Sequence, residues 1–175
     1  LKSKIILIYG PTASGKSKFA IKLAKKISGQ IINADSMQVY KEFSILSSRP
    51  RLNEMKKIKH HLYGFVSVKK YFSAGDWLKE VKKKVSLCIK NNKIPIIVGG
   101  TGLYFNTITK GISKIPDIDN KTRKKVRNLF QKLGYKRFYK KLLTIDPKVK
   151  NKIMATDSQR CQRAYEVKIK TKKSL

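Results

Sequence analysis

Gly10-Pro11-Thr12-Ala13-Ser14-Gly15-Lys16-Ser17, preceded by the apolar run Ile5-Ile6-Leu7-Ile8-Tyr9, decides how this chain is read. The octapeptide fits G-x-x-x-x-G-K-[ST]. Its place after a strand-like run and before a helix-like one turns a pattern match into a phosphate site. Gly10 and Gly15 let the backbone curl so that several N–H groups face one anion. A helix over about 16–27 adds its positive end at the same point. Lys16 is placed to reach terminal phosphates and the Ser17 hydroxyl to ligate Mg²⁺. A chance glycine turn is the plain alternative, and the strand–loop–helix order disfavours it.

A phosphate loop does not by itself separate kinase, ATPase and transferase. An ATP-hydrolysing chain usually offers a carboxylate at the end of a second buried strand to hold Mg²⁺. Here Ile94-Pro95-Ile96-Ile97-Val98 ends in Gly99-Gly100-Thr101-Gly102, with no acid. The acid that does end an apolar run is Asp35, after Ile31-Ile32-Asn33-Ala34. A pyrophosphate leaving group would use the same cradle as a nucleotide.

With 175 residues, the chain has room for one domain, or one domain with an insertion, and 41% apolar residues suffice for a packed core. No secretory signal and no apolar run of membrane-span length are present. Cys88 and Cys161 lie far apart without metal-ligand spacing, as expected for free thiols. The formal net charge of +32 calls for a polyanionic partner, most simply nucleic acid. The 42 basic residues comprise 35 Lys and 7 Arg, so part of the excess is explicable as biased composition. The arginines are the sharper pointers, because guanidinium forks suit phosphates and base edges.

Periodicity predicts a buried strand at 4–9 and a helix at 16–27, with Phe19, Ala20, Leu23, Ala24 and Ile27 facing inward. A strand at about 30–34 precedes an irregular stretch, 36–72, that carries Arg49-Pro50 and His60-His61. The histidine pair lacks further ligands at metal spacing, which favours a structural or RNA-contact role. Asp76 can cap a helix to about Asn91 with Trp77, Val81, Val85 and Cys88 on one stripe. A strand at 94–98 and a helix near 102–109 complete an alternating pattern, which argues for a parallel, helix-covered sheet. Beyond Gly111 only helices are predicted: about 119–133, 135–143, 147–154 and 158–169. Asp119 and Asp157 are candidate caps, Asp146-Pro147 reads as cap and first turn, and Leu129, Phe130 and Leu133 supply an inward face. Three strands make a thin sheet, and the chain starts at Leu1 and stops at Leu175 without a closing element, so a C-terminally truncated chain is expected. The lysine-rich helix faces read either as solvated surface or as a docking face for RNA.

Five separated segments together closely resemble the tRNA dimethylallyltransferase (tRNA isopentenyltransferase) family. They are Gly10–Ser17; Asp35-Ser36-Met37-Gln38-Val39-Tyr40-Lys41; His60-His61-Leu62; Pro95-Ile96-Ile97-Val98-Gly99-Gly100-Thr101-Gly102-Leu103-Tyr104; and Asp157-Ser158-Gln159-Arg160-Cys161-Gln162-Arg163-Ala164-Tyr165-Glu166-Val167. The resemblance covers nearly the whole chain. It implies an α/β fold: a P-loop NTPase-like parallel sheet covered by helices, with an α-helical insertion. It implies a catalytic core at 1–112, a tRNA-binding insertion at 113–157, and a helix at 158–175 returning toward the core. The implied reaction moves a dimethylallyl group from dimethylallyl diphosphate to N6 of adenosine 37 in tRNA. Mg²⁺ accompanies the diphosphate, the anticodon stem-loop is the partner, and a cytoplasmic monomer is expected. One departure from the family pattern is Arg49-Pro50, where Lys-Pro is common.

The residue chemistry agrees with that implication. An exocyclic adenine amine is a poor nucleophile that must shed a proton as the new bond forms, and Asp35 is placed as the general base. A helix cap or an acid in the magnesium's outer shell is the other reading of Asp35. The loop amides and Lys16 stabilise the departing diphosphate. The resemblance places Thr101 by the reacting centre and against tRNA, although it could simply cap the next helix. It assigns Ser36, Met37 and Gln38 to the target nucleotide, whose base must leave its stack. It assigns Arg123, Gln159, Arg160, Cys161, Gln162 and Arg163 to tRNA contact. Arg160 and Arg163 share a helical face, with pairing to Glu166 as the alternative. The competing functions are an adenylate isopentenyltransferase acting on free nucleotide, a P-loop small-molecule kinase, and a remnant that binds RNA without turnover.

Overall fold

The computed structural model describes residues 4–112, 115 and 117–175. The chain divides into two compact units, Leu1–Ile112 and Ser113–Leu175. Ser113, where the sequence reading starts the helical insertion, lies outside the described residues.

The first unit alternates strand and helix: β1 (Ile6–Tyr9), α1 (Lys16–Lys26), β2 (Gly29–Asn33), α2 (Leu52–Met55), β3 (His60–His61), α3 (Ala74–Lys90), β4 (Ile94–Gly99) and α4 (Gly102–Lys110). All pairings are parallel, in the spatial order β1-β4-β2-β3. The register sets Tyr9 beside Gly99 and Asn33 beside Val98, so three strands end at one edge. A parallel sheet must be covered on both faces. Ala20 and Ala24 of α1 pack with Ile31, Ile96 and Val98 on one side. Trp77, Val81 and Cys88 of α3, with Tyr104 of α4, pack with Ile32 and Ile97 on the other. Trp77 stacks on Tyr104 at 4.2 Å between centroids and 9° between planes. Offset stacking of this kind adds to simple area burial.

Several sequence expectations are corrected. The sheet has four strands, because His60 and His61 pair with Ile31 and Ile32 inside the stretch read as irregular. Two residues are too few for period-two alternation to register. The first strand runs over 6–9 and is only half covered, with Leu7 and Tyr9 exposed. Among the described residues it pairs with β4 alone. Phe19 is 59% exposed, since it lies one step of 100° off the Ala20–Ala24 stripe. Ser73, not Asp76, is the N-cap of α3. Asp76 sits at the third helical position and closes a reciprocal capping box, Ser73 Oγ accepting from Asp76 N at 3.2 Å and Asp76 Oδ2 from Ser73 N at 3.1 Å.

The second unit contains α5 (Asn120–Ile145), a 3₁₀ turn at Pro147–Val149 and α6 (Ser158–Thr171). α5 is broken at Gly134, which has φ 66° and ψ 168°. That left-handed backbone is open to glycine without Cβ strain and separates the two helices that the sequence reading places at 119–133 and 135–143. Asp119 and Asp157 cap their helices, accepting from Thr122 N and Arg160 N at 2.7 and 3.0 Å. The predicted helix 147–154 shrinks to the single 3₁₀ turn. Asp146 flanks it without a side-chain cap, and both its carboxylate oxygens are buried with no partner among the described residues. Val126, Phe138, Leu142, Val149, Ile153, Cys161, Ala164 and Tyr165 form this unit's core, joined at its margin by Leu129, Phe130 and Leu133. No helix among the described residues is long and apolar enough to cross a membrane.

Close approach at the strand ends makes Gly99 irreplaceable. A Cβ there would lie 2.1 Å from Ala34 O, a backbone atom that cannot turn aside. Gly99→Ala is expected to cost about 1–3 kcal/mol of stability, measurable by urea unfolding. His61 is buried, with Nε2 2.8 Å from Gln30 Oε1. Burial first, then the charges of Lys84, Lys59 and His60, push its pKa from 6.5 down to about 4. The unfolded chain therefore binds a proton near pH 6.5 that the folded chain refuses until about pH 4. This contribution to stability is full above pH 6.5 and declines as pH falls toward 4. Melting temperature followed across that window is expected to drop, and the His61→Gln variant to lose part of the slope.

Candidate active site

The loop after β1 forms one wall of a cleft at the sheet edge. Ala13 and Gly15 take left-handed φ values of 64° and 77°, which curl the chain before α1 begins. Ser14 Oγ donates to Pro11 O at 2.8 Å and Gly10 N donates to Gly99 O at 3.4 Å, tying the loop to itself and to the end of β4. Lys16 Nζ donates to Pro11 O at 2.6 Å, so the ammonium is folded back over the loop it serves. Thr12, Ala13, Lys16 and Ser17 line the cleft together with Asp35, Gln38, Ser47, Ser48, Tyr63, Val98 and Gly99.

Asp35 leaves the end of β2 in a tight turn. Its Oδ1 accepts from Met37 N at 2.9 Å and Gln38 N at 3.4 Å. That turn is the Asx geometry that a short carboxylate makes with the backbone two residues on. A methyl group at Gly100 would lie 3.9 Å from Asp35 Oδ2 and 4.0 Å from Lys16 Nζ. Carboxylate and ammonium therefore converge beside a residue that has no side chain.

Thr101 stands at the N-cap position of α4 yet makes no cap bond. Its Oγ1 accepts from Ser36 N at 2.9 Å and donates to Ser36 Oγ at 3.2 Å. The two hydroxyls thus join the Asp35 turn to the β4 exit, a link across 65 positions of sequence. Gln38 departs from its expected availability. Its Nε2 donates to Ser47 O at 2.9 Å and Ser48 O at 3.4 Å, leaving Oε1 as the free end. Met37 is exposed.

The remaining expected RNA contacts lie in the second unit. Arg123 sits in the first turn of α5 and is half-buried; Gln159 and Arg160 are exposed on α6. Arg160 Nε lies 3.3 Å from Asp157 Oδ2. Arg163 pairs with Glu166 at 3.2 Å, and Glu166 is buried. Gln162 Nε2 donates to Ser158 O at 3.2 Å. Cys161 is turned into the core, with Sγ 3.4 Å from Met154 O, so its side chain offers no surface to RNA.

No cluster of three or more His, Cys, Asp or Glu side chains with metal-binding geometry occurs among the described residues. The cleft does hold the Ser17 hydroxyl and the Asp35 carboxylate, both hard oxygen donors. Such a sparse set suits magnesium, which keeps several waters and takes its other oxygens from a substrate's phosphates. Tyr63, Ser47 and Ser48 complete the wall without belonging to any of the expected site residues. Their signal is purely spatial, since 47–48 and 63 come from loops with no motif of their own.

A loop of phosphate-loop pattern, an acid after the end of β2 and a hydroxyl pair joining that acid's turn to the exit of β4 define an α/β protein of the P-loop class, without the usual acid at the end of β4. The model of the family described as IPP transferase matches residues 38–175, and the chain belongs to that family. It is 59% identical over 174 residues to a tRNA dimethylallyltransferase of Pelagibacter ubique, covering 99% of this chain and 56% of that one. To a protein of the same name from Ehrlichia canis it is 44% identical over 165 residues, or 94% of this chain and 54% of the other. A solved eukaryotic dimethylallyltransferase described as acting on tRNA superposes with a TM-score of 0.84 at 32% identity, covering 99% of this chain and 43% of that one. The tRNA isopentenylpyrophosphate transferase of Bacillus halodurans superposes at 0.64 with 33% identity, covering 99% and 57%. The chain thus spans little more than half the length of the curated relatives it matches.

The two arginines of α6 differ in what they support. Arg160 is exposed and Asp157 half-buried at the helix start, and such a surface pair contributes within about 0.5 kcal/mol. Arg163 neutralises a buried carboxylate, so Arg163→Ala is expected to cost about 1–3 kcal/mol while Arg160→Ala costs little. Chemical denaturation of the two variants side by side checks this contrast.

Proposed function

We propose that this protein transfers a dimethylallyl group from dimethylallyl diphosphate to N6 of adenosine 37 in tRNA. The observation that carries the reading is a single cleft lined by Asp35 together with Lys16 and Ser17 of the phosphate loop. In the reaction the carbon–oxygen bond to the diphosphate breaks, the carbon–nitrogen bond forms, and N6 loses one proton. Asp35 takes that proton on Oδ2, while Oδ1 stays engaged with the amides of Met37 and Gln38. The leaving diphosphate gathers negative charge as its bond lengthens. Loop N–H groups of Gly10–Ser17 stabilise that charge, joined by Lys16 once it exchanges Pro11 O for a phosphate oxygen. Ser17 and the diphosphate would hold Mg²⁺, which offsets part of the charge. The Ser36–Thr101 hydroxyl pair, with Gln38 Oε1, borders the place where the flipped adenine enters.

The basic helices of the second unit serve the anticodon stem-loop in this reading, with Arg123, Gln159 and Arg160 on phosphate and sugar. The division of labour follows the two units: catalysis in the first and tRNA binding in the second. A net charge of +32 supports a polyanionic acceptor over free nucleotide.

Mass spectrometry of an unmodified anticodon stem-loop after incubation with dimethylallyl diphosphate is expected to find the dimethylallylated base. Product from AMP but not from the stem-loop would make this a free-nucleotide enzyme, and ADP released from ATP with an acceptor would make it a kinase. Asp35→Asn is expected to lower kcat by about 10²–10⁴-fold with diphosphate affinity retained. Turnover near that of the unaltered protein would remove Asp35 from the base role.

A further inference from the structure

Asn33 closes β2 with no accessible surface, a costly place for an amide unless every bond is made. Its bonds are made. Nδ2 donates to Asp35 O and to Leu62 O, each at 3.0 Å, and Oδ1 accepts from Asp35 N at 3.0 Å. Its backbone O accepts from Trp77 Nε1 at 2.9 Å. Both amide hydrogens are spent, so Asn33 has no donor left for a substrate it could not reach in any case.

What those bonds hold is informative. Asp35 is gripped at both its backbone N and O, on either side of the bond that aims its side chain. Leu62 has a left-handed φ of 63°, and Gly64 one of 54°. A leucine in that region is strained and persists where its surroundings hold it. The Asn33–Leu62 bond does so, and the next residue, Tyr63, lying between Leu62 and Gly64, lines the cleft. The two segments are also sewn together by Gly64 N donating to Gln38 O at 2.8 Å and Phe65 N to Val39 O at 2.9 Å. One buried residue thus connects the acid's turn and the Leu62–Tyr63 segment through its side-chain amide, and the helical layer through its backbone carbonyl, which Trp77 holds.

We propose that Asn33 is the positioning residue of this site: its side-chain amide fixes the Asp35 carboxylate and the Tyr63 wall relative to the phosphate loop, and so sets the proton transfer rather than diphosphate binding. The inference rests on the reading of Asp35 as the base. A displacement of about 1 Å in a catalytic group costs on the order of 10²-fold in rate, and none of the Asn33 side-chain hydrogen bonds goes to Gly10–Ser17.

Two measurements test it. Hydrogen exchange needs no turnover: in Asn33→Ala the amides of Asp35, Met37 and Gln38 are expected to exchange faster while those of the phosphate loop keep their protection. Unchanged protection at Asp35 overturns the proposal, as does equal loss at both places. Kinetics give the second measurement. Asn33→Ala is expected to lower kcat by about 10–100-fold with KM for dimethylallyl diphosphate within about twofold, and to cost nothing further in an Asp35→Asn background. Losses that multiply in the double variant, or a KM that rises with the fall in kcat, overturn it. Should Asn33→Ala not fold, Asn33→Ser serves: its hydroxyl can still accept from Asp35 N but is too short to reach Leu62 O. It is expected to retain Asp35 protection while losing it at Gly64 and Phe65; loss of none of these again overturns the proposal. If Asp35→Asn alone leaves turnover intact, the base reading fails, and the exchange result still decides whether Asn33 holds the turn.

Discussion

β1 and β2 both run parallel to β4, and that pairing makes three sequence-distant segments leave the sheet at one edge. The phosphate loop, the Asp35 turn and the Gly100–Thr101 turn all depend on it. In an antiparallel arrangement the exits would alternate between edges, and no common cleft would form. The general rule that ligands bind outside the carboxyl ends of parallel strands is here a matter of register: Tyr9 beside Gly99, Val98 beside Asn33.

Convergence brings its own steric demand. Gly99 lies against the Ala34 backbone, and a Cβ on Gly100 would come within 3.2 Å of Gly10 O in the glycine loop. Gly99, after the third apolar run, is therefore a spatial requirement of the close approach of β4 to the Ala34 backbone. Hydrogen bonds then lock what the sheet has gathered. Thr101 to Ser36 joins β4's exit to the acid's turn, Asn33 joins that turn to the Tyr63 wall, and Gly10 to Gly99 joins the loop to β4.

The second unit solves a different problem, that of building a core in a chain so rich in lysine. It does so by packing the aromatic rings of Phe130, Phe138 and Tyr165 with the aliphatic side chains of Val126, Leu142, Val149 and Ile153. Glu166 is an exception, buried and neutralised by Arg163. Cys161 is core for the same reason that Ala164 and Tyr165 are: positions three and four apart share a helix face. An RNA contact list drawn along consecutive residues of that helix necessarily includes some that point inward.

The sequence by itself determined the phosphate loop, the parallel alternation of strand and helix, the acid at the second strand end and the helical character after Gly111. Each is a local pattern: glycine spacing, apolar period, a carboxylate next to an apolar run. The tertiary structure alone decided that His60-His61 is a fourth strand, that Thr101 spends its hydroxyl on Ser36, that Gln38 ties down the 47–48 loop, and that Asn33 holds Asp35. Those facts are bonds between residues up to 65 positions apart. Asn33 bonds Asp35 two positions on, but its bond to Leu62 O, 29 positions away, has no signature in the sequence, because that partner is brought up by the tertiary fold and not by neighbours in the chain.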